Sequence, residues 1–203
     1  MAIEEVRLPK QLLVEGRSAV EFFKAMLRHL GLEGDVQVQD FGGITELKGF
    51  LKAVANAPGF RTTVTSLAVV RDAEENPAGA FQSVRSALAG AGLPQPATVG
   101  GYVSAKPRTG VFILPDGASS GMLETICLRA VATDPAMKCV DDFFDCLQRR
   151  QIPGPKNKDK ARVQAFLASR ETSGLLLGQA AHKRYWSLDA SAFETVRTFL
   201  KNL

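Results

Sequence analysis

Short apolar runs of strand length alternate with segments of helical periodicity from the start of the sequence to about Leu128. Parallel strands need crossover connections, which are usually helices, so this alternation predicts a parallel sheet covered by helices. The runs with the clearest strand character are QLLVEG, DVQVQDF, TSLAVVRD and GVFILPDG. We therefore expect an α/β fold with a mostly parallel central sheet and helices on both faces.

Capping signals suggest where two of these helices begin. Ser18 stands three residues before Glu21, which is the spacing of a capping box. Asn76 is followed by Pro77, a favoured pairing of a cap with a first-turn proline. The sequence thus predicts one helix starting at Ser18 and another starting just after Asn76.

The last third of the sequence is helical in character. The segments AMKCVDDFFDCLQRR, KDKARVQAFLASR and ASAFETVRTFLKNL all have helical periodicity, and none is long enough to be stable alone. We expect these helices to complete the core of the preceding sheet. The predicted organisation is one domain over 1–203, with a core over about 8–132 and a C-terminal helical extension over about 133–203.

Composition narrows the class of protein. A chain of 203 residues with 45% hydrophobic residues suits one well-buried domain. No apolar run approaches the roughly 20 residues of a membrane span, and MAIEEVRLPK does not resemble a signal peptide. Three cysteines and two histidines lack the spacing of zinc ligands, so we expect reduced core thiols. The prediction is a soluble cytoplasmic protein.

Acidic residues follow several of the predicted strands. Glu15 ends the first, Asp72 and Glu74 end the third, Asp116 ends the last, and Glu124 lies in the helix that follows. Ligands of open parallel sheets bind beyond the carboxyl ends of the strands, so these acids are predicted to meet at one edge. Carboxylates that close together repel one another unless a cation lies among them. Mg²⁺ or Mn²⁺, which prefer oxygen ligands, would offset the repulsion between these carboxylates.

Ordinary structural roles remain open for some of these acids. An acid after a strand is often a helix cap, which is as good an interpretation of Asp116 as a metal ligand. The first turn of a helix favours an acid such as Glu124 for its dipole alone. Asp72 and Glu74 have the two-residue spacing that directs both side chains to one side, whereas Glu75 points elsewhere.

The charge of the sequence is mildly basic and locally concentrated. The formal net charge is +4, which permits a polyanionic partner without requiring one. The stretch RRQIPGPKNKDKAR gathers Lys and Arg around a single Asp. It is either a solvated loop or a rim that contacts phosphates. The candidate nucleic-acid contacts in this rim are Arg149, Arg150, Lys156, Lys158 and Arg162.

Two of the acidic motifs carry a resemblance to a known fold. LLVEGRSAVEFF followed by VVRDAEEN resembles the Toprim fold, in which a Glu-Gly and a later Asp-x-Asp hold a catalytic metal. The sequence is most similar to the nuclease-type Toprim domains of the OLD family and to related small stand-alone Toprim-like proteins. FILPDGASSGMLETICL and KARVQAFLAS also resemble later segments of those small proteins, so the resemblance spans most of the chain.

This resemblance implies a Toprim-like, Rossmann-like fold and a nuclease that depends on Mg²⁺ or Mn²⁺. It implies that Glu15 is a metal ligand or general acid/base and that Asp72 and Glu74 bind metal, with Glu124 as a secondary candidate for the same site. Lys160 is a candidate counterpart of the lysine that OLD-type sites use near the reacting phosphate, and an ordinary surface lysine at the start of a helix is an equally good interpretation. The OLD group also implies an ATPase partner, since its Toprim domains work with an ATPase and the printed sequence has no P-loop motif.

Two departures from the OLD pattern leave an alternative open. Glu74 stands where Asp is usual, and Ser18 and Ala19 occupy positions where OLD-type sequences have an acid. Loss of that acid removes a ligand for a second ion, which two-metal phosphodiester cleavage requires. The alternative is a catalytically weakened Toprim scaffold that acts as an interaction module. Homo-oligomerisation is also left open.

A second alternative is an esterase. GASSG fits the G-x-S-x-G motif of α/β-hydrolases, with Ser119 as nucleophile, and acids and then His182 follow in the required order. The candidate acids are Asp141, Asp142 and Asp145. Against this interpretation, Pro115 and Asp116 separate the strand from the motif. Ser119 or Ser120 could instead cap the next helix.

Overall fold

A computed structural model describes residues 4–203 and contains a five-stranded sheet. Its strands are β1 (Lys10–Val14), β2 (Val36–Asp40), β3 (Ser66–Asp72), β4 (Tyr102–Val103) and β5 (Arg108–Leu114). They are ordered β2-β1-β3-β5-β4, and every pair is parallel except β4 with β5. The predicted mostly parallel α/β sheet is confirmed.

Helices connect the strands and form the last third of the described chain. They are α1 (Arg17–His29), α2 (Ile44–Ala55), α3 (Phe60–Thr63), α4 (Pro77–Gly90), α5 (Leu123–Ala130), α6 (Pro135–Arg149), α7 (Lys158–Ala168), α8 (Leu177–His182) and α9 (Glu194–Lys201). A single 3₁₀ turn, Ser191–Phe193, precedes α9. The short helices α3 and α8 and the strand β4 were not predicted. None of the helices within residues 4–203 has the length and apolarity to cross a membrane.

The sheet is buried on both faces because successive residues of a strand point to opposite sides. In β1, Leu12 and Val14 belong to one hydrophobic cluster, whereas Leu13 belongs to the other. The first cluster contains the buried residues of α1 and of α5 to α9, and the second contains those of α2, α3 and α4. Helices on both faces are therefore confirmed.

The C-terminal helices pack against the sheet directly. Phe199 of α9 lies against Phe112 of β5, with ring centroids 5.3 Å apart, and stacks on Tyr102 of β4 at 4.9 Å. Trp186, which is fully buried, stacks on Phe166 of α7 at 5.2 Å. These aromatic contacts place the last third of the chain in the same hydrophobic cluster as one face of the sheet.

The structure confirms one predicted helix cap and contradicts another. Asn76 accepts a hydrogen bond from the main-chain N–H of Gly79 at 2.8 Å, as expected for the cap of α4. Helix α1 instead begins at Arg17 after Gly16 and has no side-chain cap, so the capping box of Ser18 and Glu21 is wrong. The hydroxyl of Ser18 accepts a hydrogen bond from Gly178 N at 3.2 Å, in α8.

Two smaller expectations are also corrected. Helix α5 starts at Leu123, after Met122, so neither Ser119 nor Ser120 caps it. Of the cysteines, Cys127 is buried as expected, but Cys139 is exposed on α6 and Cys146 is half-buried, so the three are not all core thiols.

The contact of α1 with α8 yields a stability prediction. A Cβ atom at Gly178 would lie 2.3 Å from the carbonyl oxygen of Ser18, which is main chain and cannot move aside cheaply. We expect Gly178→Ala to lower the free energy of unfolding by about 2 kcal/mol, because overpacking shifts whole elements. The melting midpoint should fall by about 4–8 °C for a chain of this size.

The matched control for this substitution is Gly49→Ala in α2. Nothing lies within 4 Å of a Cβ built at Gly49, so alanine there should stabilise the helix by about 0.5–1 kcal/mol. Equal effects of the two substitutions on thermal unfolding would contradict the close packing of α8 on α1.

Candidate functional site: an acid-lined cavity

One edge of the sheet gathers the carboxyl ends of the parallel strands. Glu15 follows the last residue of β1, and Asp72 is the last residue of β3, the neighbouring strand. Both sit beside a cavity of about 340 Å³. Its charged lining residues are Glu15, Asp72, Glu74 and Glu124, with Arg17, Arg71 and Lys160. We call this space the acid cavity. The structure thus brings together four of the five acids that the sequence predicts at one edge.

The main chain around Glu15 is held in place by a neighbouring turn. Gly16 has φ +85°, a left-handed conformation that favours glycine. Its N–H donates to Oδ1 of Asp40 at 2.8 Å, and Gly42 N donates to the same oxygen at 2.7 Å. Within residues 4–203 no hydrogen bond or ion pair occupies the Glu15 carboxylate, which therefore remains available to a ligand.

Burial raises the pKa of Glu15, because its charged form loses solvation at the cavity wall. The charge of Arg71 opposes this rise, as does that of Lys160, whereas Glu74 adds to it. Glu15 is therefore a carboxyl group held between acidic and basic neighbours. A carboxyl with a raised pKa can exchange a proton closer to neutral pH than an ordinary glutamate does.

Asp72 is the most perturbed acid of the cavity. Its pKa is raised to about 7, mainly by burial and then by the nearby charge of Glu124. Its Oδ1 accepts a hydrogen bond from Leu123 N at 2.9 Å, and this bond lowers the pKa of Asp72 against the larger effect of burial. Asp72 thus joins the end of β3 to the start of α5. A perturbed acid in a cleft is characteristic of functional sites.

Glu74 reaches the cavity through an unusual main-chain conformation. Its φ is +52°, which is uncommon for a residue with a side chain. Its main chain pairs with Gly121, with the two N–H···O bonds at 2.8 and 2.7 Å. This bridge fixes the segment after β3 against the turn before α5. Asp72 and Glu74 line the same cavity, although the left-handed conformation of Glu74 means that the alternation of an extended strand does not explain it.

Glu124 and Lys160 come from two helices that are bonded to each other. Glu124 lies in the first turn of α5, and the next residue, Thr125, donates a hydrogen bond from its hydroxyl to Asp159 of α7. Asn157 caps α7 by accepting from Lys160 N at 2.9 Å. Lys160 lines the cavity together with Glu15 and Asp72, and its positive charge opposes the rise that burial causes in the pKa of both acids.

Asp116 does not belong to this cavity, and its predicted metal role is corrected. Its Oδ1 accepts from Ala118 N at 3.0 Å and from Ser119 N at 2.7 Å. Its Oδ2 accepts from the guanidinium of Arg129 at 2.7 Å. Against the opposing effect of burial, these bonds together keep the pKa of Asp116 well below its usual range. Both oxygens are therefore occupied by a turn and an ion pair.

The structure does not assemble the esterase triad. Nε2 of His182 lies 3.2 Å from Glu21, on α1, and Asp141 pairs with Arg162 of α7. Ser119 lies in the turn that Asp116 holds, after β5. Asp142 pairs with Lys138 at 2.7 Å, within its own helix. Among residues 4–203, His182 makes no hydrogen bond with Ser119 or with Asp141, Asp142 or Asp145, so the structure contradicts the hydrolase alternative with Ser119 as nucleophile and His182 as base.

The predicted basic rim surrounds the start of α7 without lining the acid cavity. Arg149 and Arg150 are exposed at the end of α6, and Lys156 and Lys158 are exposed on either side of the α7 cap. Arg162 differs, because it pairs with Asp141 and lies over the ring of Phe144. The first four remain candidate nucleic-acid contacts, whereas Arg162 already has protein partners.

The residues that the sequence did not identify include Arg71 in the cavity lining and Asp40 beside it. Arg71 lines the cavity next to Asp72, and its guanidinium donates to the carbonyl of Ala80 at 3.3 Å. Asp40 holds the Glu15 turn. The sequence offered one signal for Arg71, since an arginine immediately before the acidic motif interrupts an apolar strand. It offered none for Asp40, which looks like an ordinary acid at a strand end.

The acidic side chains that line the cavity are of the kind that bind hard divalent cations. Its four acidic side chains offer only carboxylate oxygens, the ligands that Mg²⁺ and Mn²⁺ favour. No three Asp, Glu, His or Cys side chains of residues 4–203 are close enough to form a ready-made metal site. Mg²⁺ is commonly held by one or two carboxylates together with water and substrate phosphates. Glu15 and Asp72 could supply such a pair.

Comparisons with known proteins add a family. No curated protein matches the chain. A solved structure of the C-terminal region of the OLD protein from Xanthomonas campestris pv. campestris is similar, at 11% identity and a TM-score of 0.48, over 96% of this chain and 95% of that one. A score this low carries no argument about fold or activity. Residues 9–203 match the family described as Protein of unknown function (DUF3226). The chain therefore belongs to that family.

Proposed function

We propose that this chain is a nucleic-acid phosphodiester hydrolase that depends on Mg²⁺ or Mn²⁺, with DNA as the substrate. The observation that carries the proposal is the acid cavity, where four carboxylates from three chain segments line one space together with Arg71 and Lys160. A site of this composition suits a metal ion and a phosphate together. The resemblance of the Glu15 and Asp72 motifs to OLD-type Toprim sequences points to the same chemistry.

The residues of the cavity divide into three roles in this proposal. Glu15 and Asp72 would hold the ion, with Glu74 and Glu124 beside them. When bound, the ion would polarise the phosphate and lower the pKa of an attacking water. Lys160 and Arg71 contact the phosphate oxygens and offset the negative charge that develops there.

Glu15 also has the properties of a general acid/base. Burial raises its pKa, and no described side chain within hydrogen-bonding distance occupies it. This role is the alternative to metal binding by Glu15, because a carboxylate bound to a cation loses its affinity for a proton. With the ion held by Asp72, the free Glu15 carboxylate takes a proton from water and returns it to the leaving oxygen. Lys160 limits how far that pKa rises, since its positive charge favours the ionised carboxylate. Loss of Lys160 would thus affect proton transfer as well as phosphate binding.

The surface beside α7 supports a nucleic-acid partner. Lys156 and Lys158 flank Asn157, which lines an adjoining cavity together with Lys160. With Arg149 and Arg150, they could hold a phosphate backbone on its way to the acid cavity, since backbone contacts are largely electrostatic. A separate ATPase partner is part of the proposal on the strength of the OLD resemblance alone.

An interaction module remains a second candidate, and one observation favours it. Ser18 stands where OLD-type sequences carry an acid, and its hydroxyl serves the packing of α8 on α1. The cavity therefore lacks a carboxylate at that position. If this loss disables catalysis, the same fold would serve as a scaffold that docks on a partner protein.

Titration with Mn²⁺ separates the two candidates. A hydrolase should show a melting midpoint that rises with Mn²⁺ concentration, because a ligand that binds only the folded state stabilises it, by about 2.7 kcal/mol at a hundred times the Kd. The same protein should nick supercoiled plasmid in Mn²⁺ and not in EDTA. An unchanged midpoint together with intact plasmid would contradict the hydrolase and favour the scaffold.

A further inference from the structure

Asp40, the last residue of β2, connects two turns at the edge of the sheet. Its Oδ1 accepts hydrogen bonds from Gly16 N at 2.8 Å and from Gly42 N at 2.7 Å. Both glycines have positive φ, +85° and +79°, so each turn could adopt other conformations once its N–H is released. One carboxylate oxygen therefore fixes both turns.

Glu15 lies between two points at which the main chain is anchored. On one side, Phe41 N donates to the carbonyl of Val14 at 3.0 Å, which is the last ladder bond between β1 and β2. On the other side, Gly16 N donates to Asp40. Because both flanking peptide units are bonded to the same neighbouring segment, the direction in which the Glu15 side chain leaves the main chain is set.

We propose that Asp40 is a positioning residue for Glu15: by holding the N–H of Gly16, its carboxylate directs the Glu15 side chain into the acid cavity. Asp40 touches neither ion nor substrate in this role. The inference rests on the proposed function, because it assigns Asp40 to the site where Glu15 would hold the metal or exchange a proton.

Other residues that orient a metal ligand indicate how much metal affinity or activity should be lost when Asp40 is removed. A main-chain N–H bonded to an ionised carboxylate makes a stronger hydrogen bond than one between neutral groups. Residues that orient a metal ligand without touching the metal typically change metal affinity or activity by about 10- to 100-fold when they are removed. Since Gly16 has no Cβ to restrict its rotation, nothing local would replace the lost bond.

Three substitutions of Asp40 distinguish the effect of its hydrogen bond to Gly16 from the effect of its negative charge. Asp40→Ala removes the acceptor and should weaken Mn²⁺ binding by about 10-fold or more and lower kcat, with less change in KM. Asp40→Asn keeps Oδ1 as an acceptor and should recover binding to within about 3-fold of the unmodified protein. Asp40→Glu keeps the charge but moves the carboxylate by one methylene, so it should resemble alanine. Calorimetry measures Mn²⁺ affinity, and plasmid nicking gives kcat and KM.

A measurement without metal tests whether Asp40 holds the N–H of Gly16. Amide hydrogen exchange of Gly16, followed by NMR, should be slow in the unmodified protein and in Asp40→Asn, and faster in Asp40→Ala and Asp40→Glu. The matched control is Asp134→Ala, which removes another aspartate acceptor, bonded to Ala136 N at 2.8 Å, at the start of α6. It should lower stability without changing Mn²⁺ affinity or the exchange of Gly16.

The outcomes distinguish failure of this inference from failure of the proposed function. Mn²⁺ affinity in Asp40→Ala equal to that in Asp134→Ala would overturn the positioning role, as would unchanged exchange at Gly16. Equal losses in Asp40→Asn and Asp40→Ala would assign the effect to charge and also overturn it. Intact plasmid in Mn²⁺ together with an unchanged melting midpoint of the unmodified protein would contradict the proposed function. If Glu15→Gln instead leaves both Mn²⁺ binding and nicking unchanged, only the role of Glu15 falls, and the positioning role of Asp40 falls with it.

Discussion

Plasmid nicking in the presence of Mn²⁺ is expected to fall by about a thousandfold or more in Glu15→Gln and in Asp72→Asn. Each substitution replaces a carboxylate of the acid cavity by a neutral amide of nearly the same shape. The amide keeps an oxygen but loses the negative charge that holds a divalent ion, and in Glu15→Gln the side chain can no longer exchange a proton. Conversion of supercoiled to relaxed plasmid over time measures the loss.

The control for these variants is Glu33→Gln. Glu33 is exposed between α1 and β2, at the opposite edge of the sheet, so its loss removes the same charge without touching the cavity. It should nick plasmid at the rate of the unmodified protein. Nicking that survives in both Glu15→Gln and Asp72→Asn would mean that the activity lies elsewhere or comes from a contaminant, and the catalytic assignment would be withdrawn.

Asp72→Asn is also expected to stabilise the metal-free protein, increasingly so as pH rises from about 4 to about 7. The folded-state pKa of Asp72 is raised to about 7, mainly by burial, so the folded protein holds this proton more tightly than the unfolded chain does. Stability is therefore lost as pH rises between the unfolded and folded pKa values. The full shift corresponds to at most about 4 kcal/mol, and relaxation of the cavity will reduce it.

Chemical denaturation in EDTA between pH 4 and pH 8 measures this difference. The free energies of unfolding of Asp72→Asn and the unmodified protein should diverge up to about pH 7 and run parallel above it. Glu33→Gln should follow the unmodified protein throughout. Parallel curves for Asp72→Asn across the whole range would show that the Asp72 carboxyl is not perturbed in the way its buried position predicts.

The strands could be predicted from the sequence because their signal is local. β1, β3 and β5 each contain three or four consecutive apolar residues, and a polar residue or a turn follows each of these runs. Helix caps were predicted only where the bond itself is local. Asn76 bonds Gly79 three residues later and was predicted correctly, whereas Ser18 is used by Gly178, 160 residues later. No local pattern can report a partner at that distance.

The sequence by itself determined the parallel α/β sheet and the placing of Glu15 and Asp72 at one edge of it, because strand periodicity and the rule for parallel sheets act over short segments. Only the tertiary structure decided which side chains share the cavity. It paired Asp116 with Arg129, placed Arg71 and Lys160 in the same cavity lining as the acids, and bonded Asp40 to the glycine that follows Glu15. The physical reason is that hydrogen bonds and ion pairs depend on distances in space, which the folded chain sets.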